Sequence, residues 1–299
     1  MTTKDNLRVH GDGEDHAARD AGVLRKTKIM KIAKLHSAAR QYCEERHAFW
    51  ANKYSKICKA GRDRVGKSYT KEALSVFPRY NVLAAILEEI ERFIPEDFSD
   101  FNEARSLIAE AGSAAETIFT EPPHGKIEKQ VMDEERAAFT RYINEISDQS
   151  LESVQLLPFR KVLLKKESSE IWKLIKDAWE LPKGYWYPLI ENKPSNVEAF
   201  QDIHFERNIS NDILIKFFKN RGIMKFWELR EYGAEYEMDI EIFEPYYNGA
   251  EGFWTSSSFD WIVYCSHESS VSVGGWLLDE VKQSWPDWEK YLWTSPFFK

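Results

Sequence analysis

Apolar side chains return every three or four residues from Val23 to about Lys59, through Ile29, Ile32, Leu35, Ala39, Tyr42, Cys43, Phe49, Trp50 and Tyr54. That is the period of a helix with one buried face. Asn81 to Ile94 repeats it: Leu83, Ile86, Leu87, Ile90, Phe93 and Ile94 form a stripe, Glu88, Glu89 and Glu91 lie opposite, and Pro95 ends the run. Helices are also predicted over Asn102 to Phe119, ahead of Pro122-Pro123, and over a longer stretch marked by Ile127, Val131, Phe139, Tyr142 and Ile146. Residues 23–148 therefore read as an all-helical module, and residues 1–22, without any period, as a flexible tail.

After Gln149 the pattern changes. Arg160 to Leu164 reads as an extended segment entering a second domain, residues 149–299. Ile171, Trp172, Ile175, Ala178 and Trp179 mark a helix capped by Ser168 or Ser169 and ended at Pro182-Lys183-Gly184. Ser195-Asn196-Val197-Glu198 has the form of a capping box, which predicts a helix start. Asn211 to Asn220 is predicted helical, with Gly222 as its stop. Met224 to Tyr232 reads as a strand turned by Gly233. Glu235 to Ile242 alternates strictly, with Tyr236, Met238, Ile240 and Ile242 on one face and Glu235, Glu237, Asp239 and Glu241 on the other. Ile262 to Ser266 and Val271 to Val273 flank His267 to Ser270 as a hairpin. Gly274-Gly275 then gives way to a helix carrying Trp276, Leu277, Leu278 and Val281. The expected fold class is α+β: a helical N-terminal module, then a mainly antiparallel sheet of four or five strands covered by helices.

Composition supports a packed core, with 43 % hydrophobic and 14 % aromatic residues in 299. Ten of the eleven Trp fall from Trp172 onward, so the second domain has the richer core. Cysteines at 43, 58 and 265 make no disulfide framework, and neither an apolar leader nor an apolar run long enough to span a bilayer is present. A soluble cytoplasmic protein without membrane contact is the expectation.

The net charge of −8 conceals an asymmetry. Residues 21–71 hold 14 Lys/Arg against 3 Asp/Glu, a surplus of 11, while residues 72–299 stand at about −17. A polyanion-binding arm and internal electrostatic docking both follow from such a division.

Candidate chemistry is sparse. Gly61 to Ser68 fits the phosphate-loop spacing G-x-x-x-x-G-K-[ST], but the residues before it read as helix where that loop needs a strand. A basic interhelical loop bearing Arg62, Arg64 and Lys67 is the better reading. Cys43 and His47 are four apart on one helical face, with His36 and Cys58 nearby in sequence, yet the set lacks a familiar metal spacing. The sequence predicts neither a metal site nor a cofactor. Trp186, within Tyr185 to Leu189, has the type to stack a ligand or to fill a core. On the hairpin, His267 beside Glu268, with Asp260 ahead of the first strand, has the types for acid–base chemistry, but no G-x-S-x-G elbow surrounds the nearby serines.

Three functions are thus expected, in order. The first is a non-enzymatic interaction protein, such as a regulator, an immunity-type inhibitor of a basic toxin or a defence-system component. It would bind a protein partner through the acidic second domain, with Glu237 and Asp239 on the binding face. The second is nucleic-acid binding through basic residues 25–71. The third is an enzyme at the 260–269 hairpin, with His267 as acid or base and Asp260 or Glu268 in support.

Overall fold

The computed structural model describes residues 12–181, 185–190 and 192–294. It divides the chain into two compact units, Met1–Leu157 and Pro158–Lys299. The fold class is the expected α+β.

The first unit is helical. Helix α1 spans Asp12–Lys59, so the part of the presumed tail from residue 12 onward is helix, while residues 1–11 lie outside the described residues. A two-stranded hairpin, β1 (Arg64–Val65) and β2 (Ser68–Tyr69), follows. Helices α2 (Lys71–Leu74), α3 (Phe77–Ile90), α4 (Phe101–Ala114), α5 (Lys126–Glu145) and α6 (Asp148–Ser153) complete the unit. The stripe Leu35, Ala39 and Cys43 of α1 meets Val82, Ile86 and Ile90 of α3 and, around them, Ile108 of α4 and Phe139 and Ile143 of α5. Helix α4 ends at Ala114, short of the predicted Phe119; its start is set by Asp100, whose carboxylate accepts from the Asn102 and Glu103 amides.

Two carboxylates sink into this apolar interface. Glu91 is fully buried and takes a 3.0 Å hydrogen bond from Arg40 Nε, itself buried. Glu135, 1 % exposed, accepts from Arg46 Nε at 2.8 Å and from Arg79 Nη1 at 2.8 Å. An ionised group out of water is tolerated only with such charged donors. Internal docking thus accounts for the middle of the basic helix. His36, also buried, has Nε2 3.0 Å from the Ile90 carbonyl, and burial lowers its pKa to about 4.

The second unit holds β3 (Arg160–Val162), α7 (Lys165–Trp179), β4 (Val197–Gln201), α8 (Asp202–Asn208), α9 (Asn211–Asn220), β5 (Lys225–Arg230), β6 (Tyr236–Asp239), β7 (Gly252–Thr255), β8 (Trp261–Ser266), β9 (Ser270–Gly275) and α10 (Trp276–Ser284). The strands form one sheet in the order β3-β6-β5-β7-β8-β9-β4, every neighbouring pair antiparallel. Seven strands replace the expected four or five: the extended segment expected at Arg160 to Leu164 is β3, and the strands not foreseen are β4 and β7, which carry no alternation of their own. Side chains of β8 alternate between two cores: Trp261, Val263 and Cys265 join the cluster under α9 and α10, and Ile262 and Tyr264 join the one holding Ile171 and Ile175 of α7. A strand covered on both faces reads as a continuous apolar run, as Trp261 to Cys265 does.

Two helix predictions are corrected. The capping-box residues 195–198 do not start a helix: Asn196 takes a positive φ of 54°, and Val197 to Gln201 pair along β9 as β4. Cross-strand pairing with buried Val197, Ala199 and Phe200 outweighs the local capping preference. Helix α7 starts before Ser168, with the Glu167 carboxylate accepting from the Leu164 amide at 2.8 Å; the Ser168 hydroxyl donates instead to Glu235. Its predicted end at 182–184 lies outside the described residues. Gly275 is the junction of β9 and α10: at φ +70° a Cβ would stand 2.0 Å from the Asp260 carbonyl oxygen.

Two measurements check this picture. Gly275→Ala is expected to cost at least about 3 kcal/mol in urea denaturation, since it adds both strain and a backbone clash. For His36, the depressed pKa means that the unfolded chain binds a proton the folded one refuses, so its contribution is intact above pH 6.5 and lost as pH falls towards about 4. Relative to His36→Gln, the wild type should lose roughly 3 kcal/mol across that window.

Candidate functional site

The register of β7 and β8 sets Gly252 opposite Cys265, which brings Glu251, just before β7, level with the end of β8. Glu251 is 1 % exposed. It accepts a 3.1 Å hydrogen bond from the His267 amide, and the His267 ring donates through Nδ1 to the same carboxylate oxygen. That bond fixes the ring, so that Nε2 faces outward, 3.4 Å from Glu268 Oε1. Three residues, His267, Glu268 and Ser269, connect β8 to β9, with Ser269 at φ +55°, the left-handed position of a three-residue hairpin loop. Ser266 and Ser270 close the hairpin through their hydroxyls at 2.7 Å, and Trp293 Nε1 donates to the Glu268 carbonyl at 2.9 Å.

Aromatic side chains surround the ring. Tyr185 and Tyr247 lie with ring centroids 5.6 and 6.4 Å from that of His267. The loop bearing Tyr247 is held by Tyr232, whose hydroxyl donates to the Gly249 carbonyl, and by Arg230, which donates to Asn248 Oδ1. Tyr185, Tyr232 and Tyr247 remain 47, 54 and 41 % exposed. The Glu251 hydrogen bond holds the His267 pKa above its ordinary value, assisted by the charges of Glu251, Glu268 and Glu231. A depression of about 740 Å³ adjoins the patch, sharing Glu231 and Tyr232 with it and lined by Trp172, Lys173, Lys176 and Phe253.

Beneath His267 the interior carries unmatched polarity. Glu251 Oε2, the Tyr264 hydroxyl and Trp186 Nε1 are buried without a hydrogen-bond partner. Burial, then Glu251, pushes the Tyr264 phenol well up.

Of the residues singled out in the sequence, the structure brings His267 and Glu268 together and keeps Asp260 apart from them. Asp260 precedes β8 and His267 follows it, so the full strand separates them, and Asp260 accepts from Ser258. Trp186 is 1 % exposed and packs edge-on against Tyr264, as core and not as a stacking surface. Glu237 and Asp239 do share a face opposite Tyr236 and Met238. That face is used internally: Asp239 accepts from the Phe159 amide at 2.7 Å, Glu237 lies 3.8 Å from Lys225, and Glu235 accepts from Trp172. Gly61 to Ser68 forms the β1–β2 hairpin after a helix, so the strand–loop–helix setting of a phosphate loop is not there. Arg62 pairs with Glu72 at 2.8 Å, Arg64 stacks on Tyr69 and Lys67 is exposed. Cys265 is buried with its thiol pKa pushed up by burial, as befits a packed side chain. Among the described residues no group of three or more His, Cys, Asp or Glu is placed to hold a metal ion, and no helix is long and apolar enough to cross a membrane.

Glu251 is the member that the sequence did not single out. Its signal is position: an acid directly before the short segment Gly252-Phe253-Trp254-Thr255, whose partner strand is followed at once by a histidine. No protein-family model, curated protein or solved structure matches the chain.

By NMR, His267 is expected to titrate above 6.5, and Glu251→Gln to return its midpoint to or below that value. A raised histidine pKa gives stability that is fully present below pH 6.5 and lost as pH rises through the folded-state midpoint. The stability gap between wild type and Glu251→Gln should therefore narrow from pH 6 to pH 8.

Proposed function

We propose that the second unit is a protein-binding module whose partner presents a basic surface to the patch around His267. The observation that carries this is the gathering of exposed Tyr185 and Tyr247 about a histidine pinned by a buried carboxylate, with exposed Tyr232 holding the Tyr247 loop and Glu231 and Glu268 as neighbouring acids. Tyrosines offer large, rigid contact area at low entropic cost, and they are over-represented among the residues that carry binding energy. The acids supply complementarity and steering towards a cationic partner. Glu237 and Asp239, engaged within the unit, take a lesser part. Regulation or inhibition of a basic protein in a reducing, cytoplasmic compartment is the corresponding role, in keeping with three unpaired cysteines.

The test is co-isolation of the full chain from its own cells, read by native mass spectrometry for wild type and for a Tyr185→Ala, Tyr247→Ala, Glu231→Lys variant. A stoichiometric basic protein that is lost from the variant, and lost from wild type at high salt, supports the module. Each tyrosine should contribute about 1–3 kcal/mol. A partner retained equally by the variant overturns this surface.

A second reading draws on the hydrogen bond between Glu251 and His267, which is how an orienting carboxylate holds a general base. It makes His267 an acid–base residue facing Tyr185 and Tyr247. Turnover found for the wild type and kept by His267→Ala would exclude it.

A further inference from the structure

The basic charge of the first unit is not spent uniformly. From Lys31 to Arg46 of α1 it is taken up inside the unit: Lys31 pairs with Asp148 at 2.9 Å, Lys34 donates to the Glu152 carbonyl, and Arg40 and Arg46 reach the buried acids Glu91 and Glu135. From Lys53 onward the picture reverses. Lys53, Lys56, Lys59, Arg62, Arg64, Lys67 and Lys71 are all exposed, and between residues 53 and 72 only Asp63 and Glu72 oppose them. These acids pair with the arginines, Glu72 with Arg62 at 2.8 Å and Asp63 with Arg64 at 3.9 Å. The five lysines have no ion pair among the described residues.

These cations sit on a preformed projection. The β1–β2 hairpin turns at Gly66, which has φ +63°, and its base is fastened by the Thr70 amide to the Asp63 carbonyl at 2.9 Å and the Thr70 hydroxyl to the Arg62 carbonyl at 2.8 Å. Tyr69 leans on Phe77 with ring centroids 4.9 Å apart, and Arg64, its cross-strand partner, lies over the Tyr69 ring, 4.5 Å from its centre. Val65 stands at the tip, 77 % exposed. A rigid tip costs little ordering on contact with a partner.

We infer that this tip, the last turns of α1 with the β1–β2 hairpin, binds the phosphate backbone of nucleic acid without reading sequence. Three features favour that partner. Lysine is depleted at protein–protein interfaces, yet five of the seven cations here are lysine. Unpaired ammonium groups spread over a helix end and a hairpin suit a polyanion carrying about one charge per 1.7 Å of duplex, because each contact releases a condensed counterion. The apolar surface at the hairpin is small, with Val65 as its one exposed aliphatic side chain, which is too little to anchor in a lipid interface.

The experiment is fluorescence anisotropy of the full chain with a labelled duplex of about 20 base pairs and a single strand of the same length, across about 50 to 200 mM salt. About five phosphate contacts predict a linear fall of log K with log salt and a loss on the order of 500-fold across that range. Replacing Arg64 and Lys67 together by alanine should lower the slope by about two, and replacing Lys56 and Lys59 by about two more, equally for all sequences. All four side chains are exposed, and an unchanged far-ultraviolet circular dichroism spectrum and melting curve confirm a folded variant. Tyr185→Ala with Tyr247→Ala, which leaves the charge unaltered, should leave the isotherm unchanged, which separates this site from the protein-binding patch. The inference is overturned by no binding to either nucleic acid at low salt, by binding that both double replacements leave intact, or by tighter binding to phosphatidylserine vesicles than to nucleic acid.

Discussion

A carboxylate removed from water has to be given donors, and that requirement organises both units. Glu91 and Glu135 lie between helices where apolar side chains would otherwise pack, and they draw Arg40, Arg46 and Arg79 inward. Glu251 lies at the end of a sheet strand and draws in the His267 amide and ring. Replacing a paired buried acid by a well-packed apolar side chain is often neutral or stabilising, so such pairs are weak evidence for stability and better understood as fixing arrangement. In the helical unit they set which face of α1 meets α3 and α5. In the sheet unit they set the direction of one imidazole.

The same requirement sorts the charge. Read along the chain, a basic block precedes a long acidic remainder, and nothing in the numbers says where the two meet. The structure shows that much of the opposition is local: Glu91, just after α3, and acids of α5 and α6 receive cations of α1 within one unit. The charge left without a counterpart is then smaller than the raw counts suggest, and differently placed. It includes a lysine-rich tip at the end of α1 and a tyrosine and glutamate patch around His267. The acidic face of β6, prominent in the sequence, is largely consumed by Phe159, Trp172 and Lys225.

Much of the fold was legible where one local period dominates. Helix α9 was predicted with its observed ends, and the alternation in β6 placed Tyr236 and Met238 in the core. The hairpin of β8 and β9 and the helix after Gly275 were legible for the same reason. Strands β4 and β7 were not, because five or four residues buried among neighbours carry no period, and Ser195 to Glu198 carries a helix-start pattern that sheet pairing overrides. The candidate site was half legible. His267 and Glu268 are adjacent in sequence, but Glu251 joins them only through the register of β7 on β8, and Tyr185 and Tyr247 only through loops from two other places in the chain.

The outer edge of the sheet at β4 has a consequence of its own. Leu292 bridges to Phe200, and Trp293 donates its amide to the Ala199 carbonyl at 2.8 Å, so a short terminal segment occupies hydrogen-bonding positions that an open edge would offer to another chain. Trp293 also donates its indole N–H to the carbonyl of Glu268. One residue therefore guards the edge and braces the turn that carries His267. Peeling the segment away would unlatch both together, coupling the exposure of the sheet edge to the shape of the surface around His267.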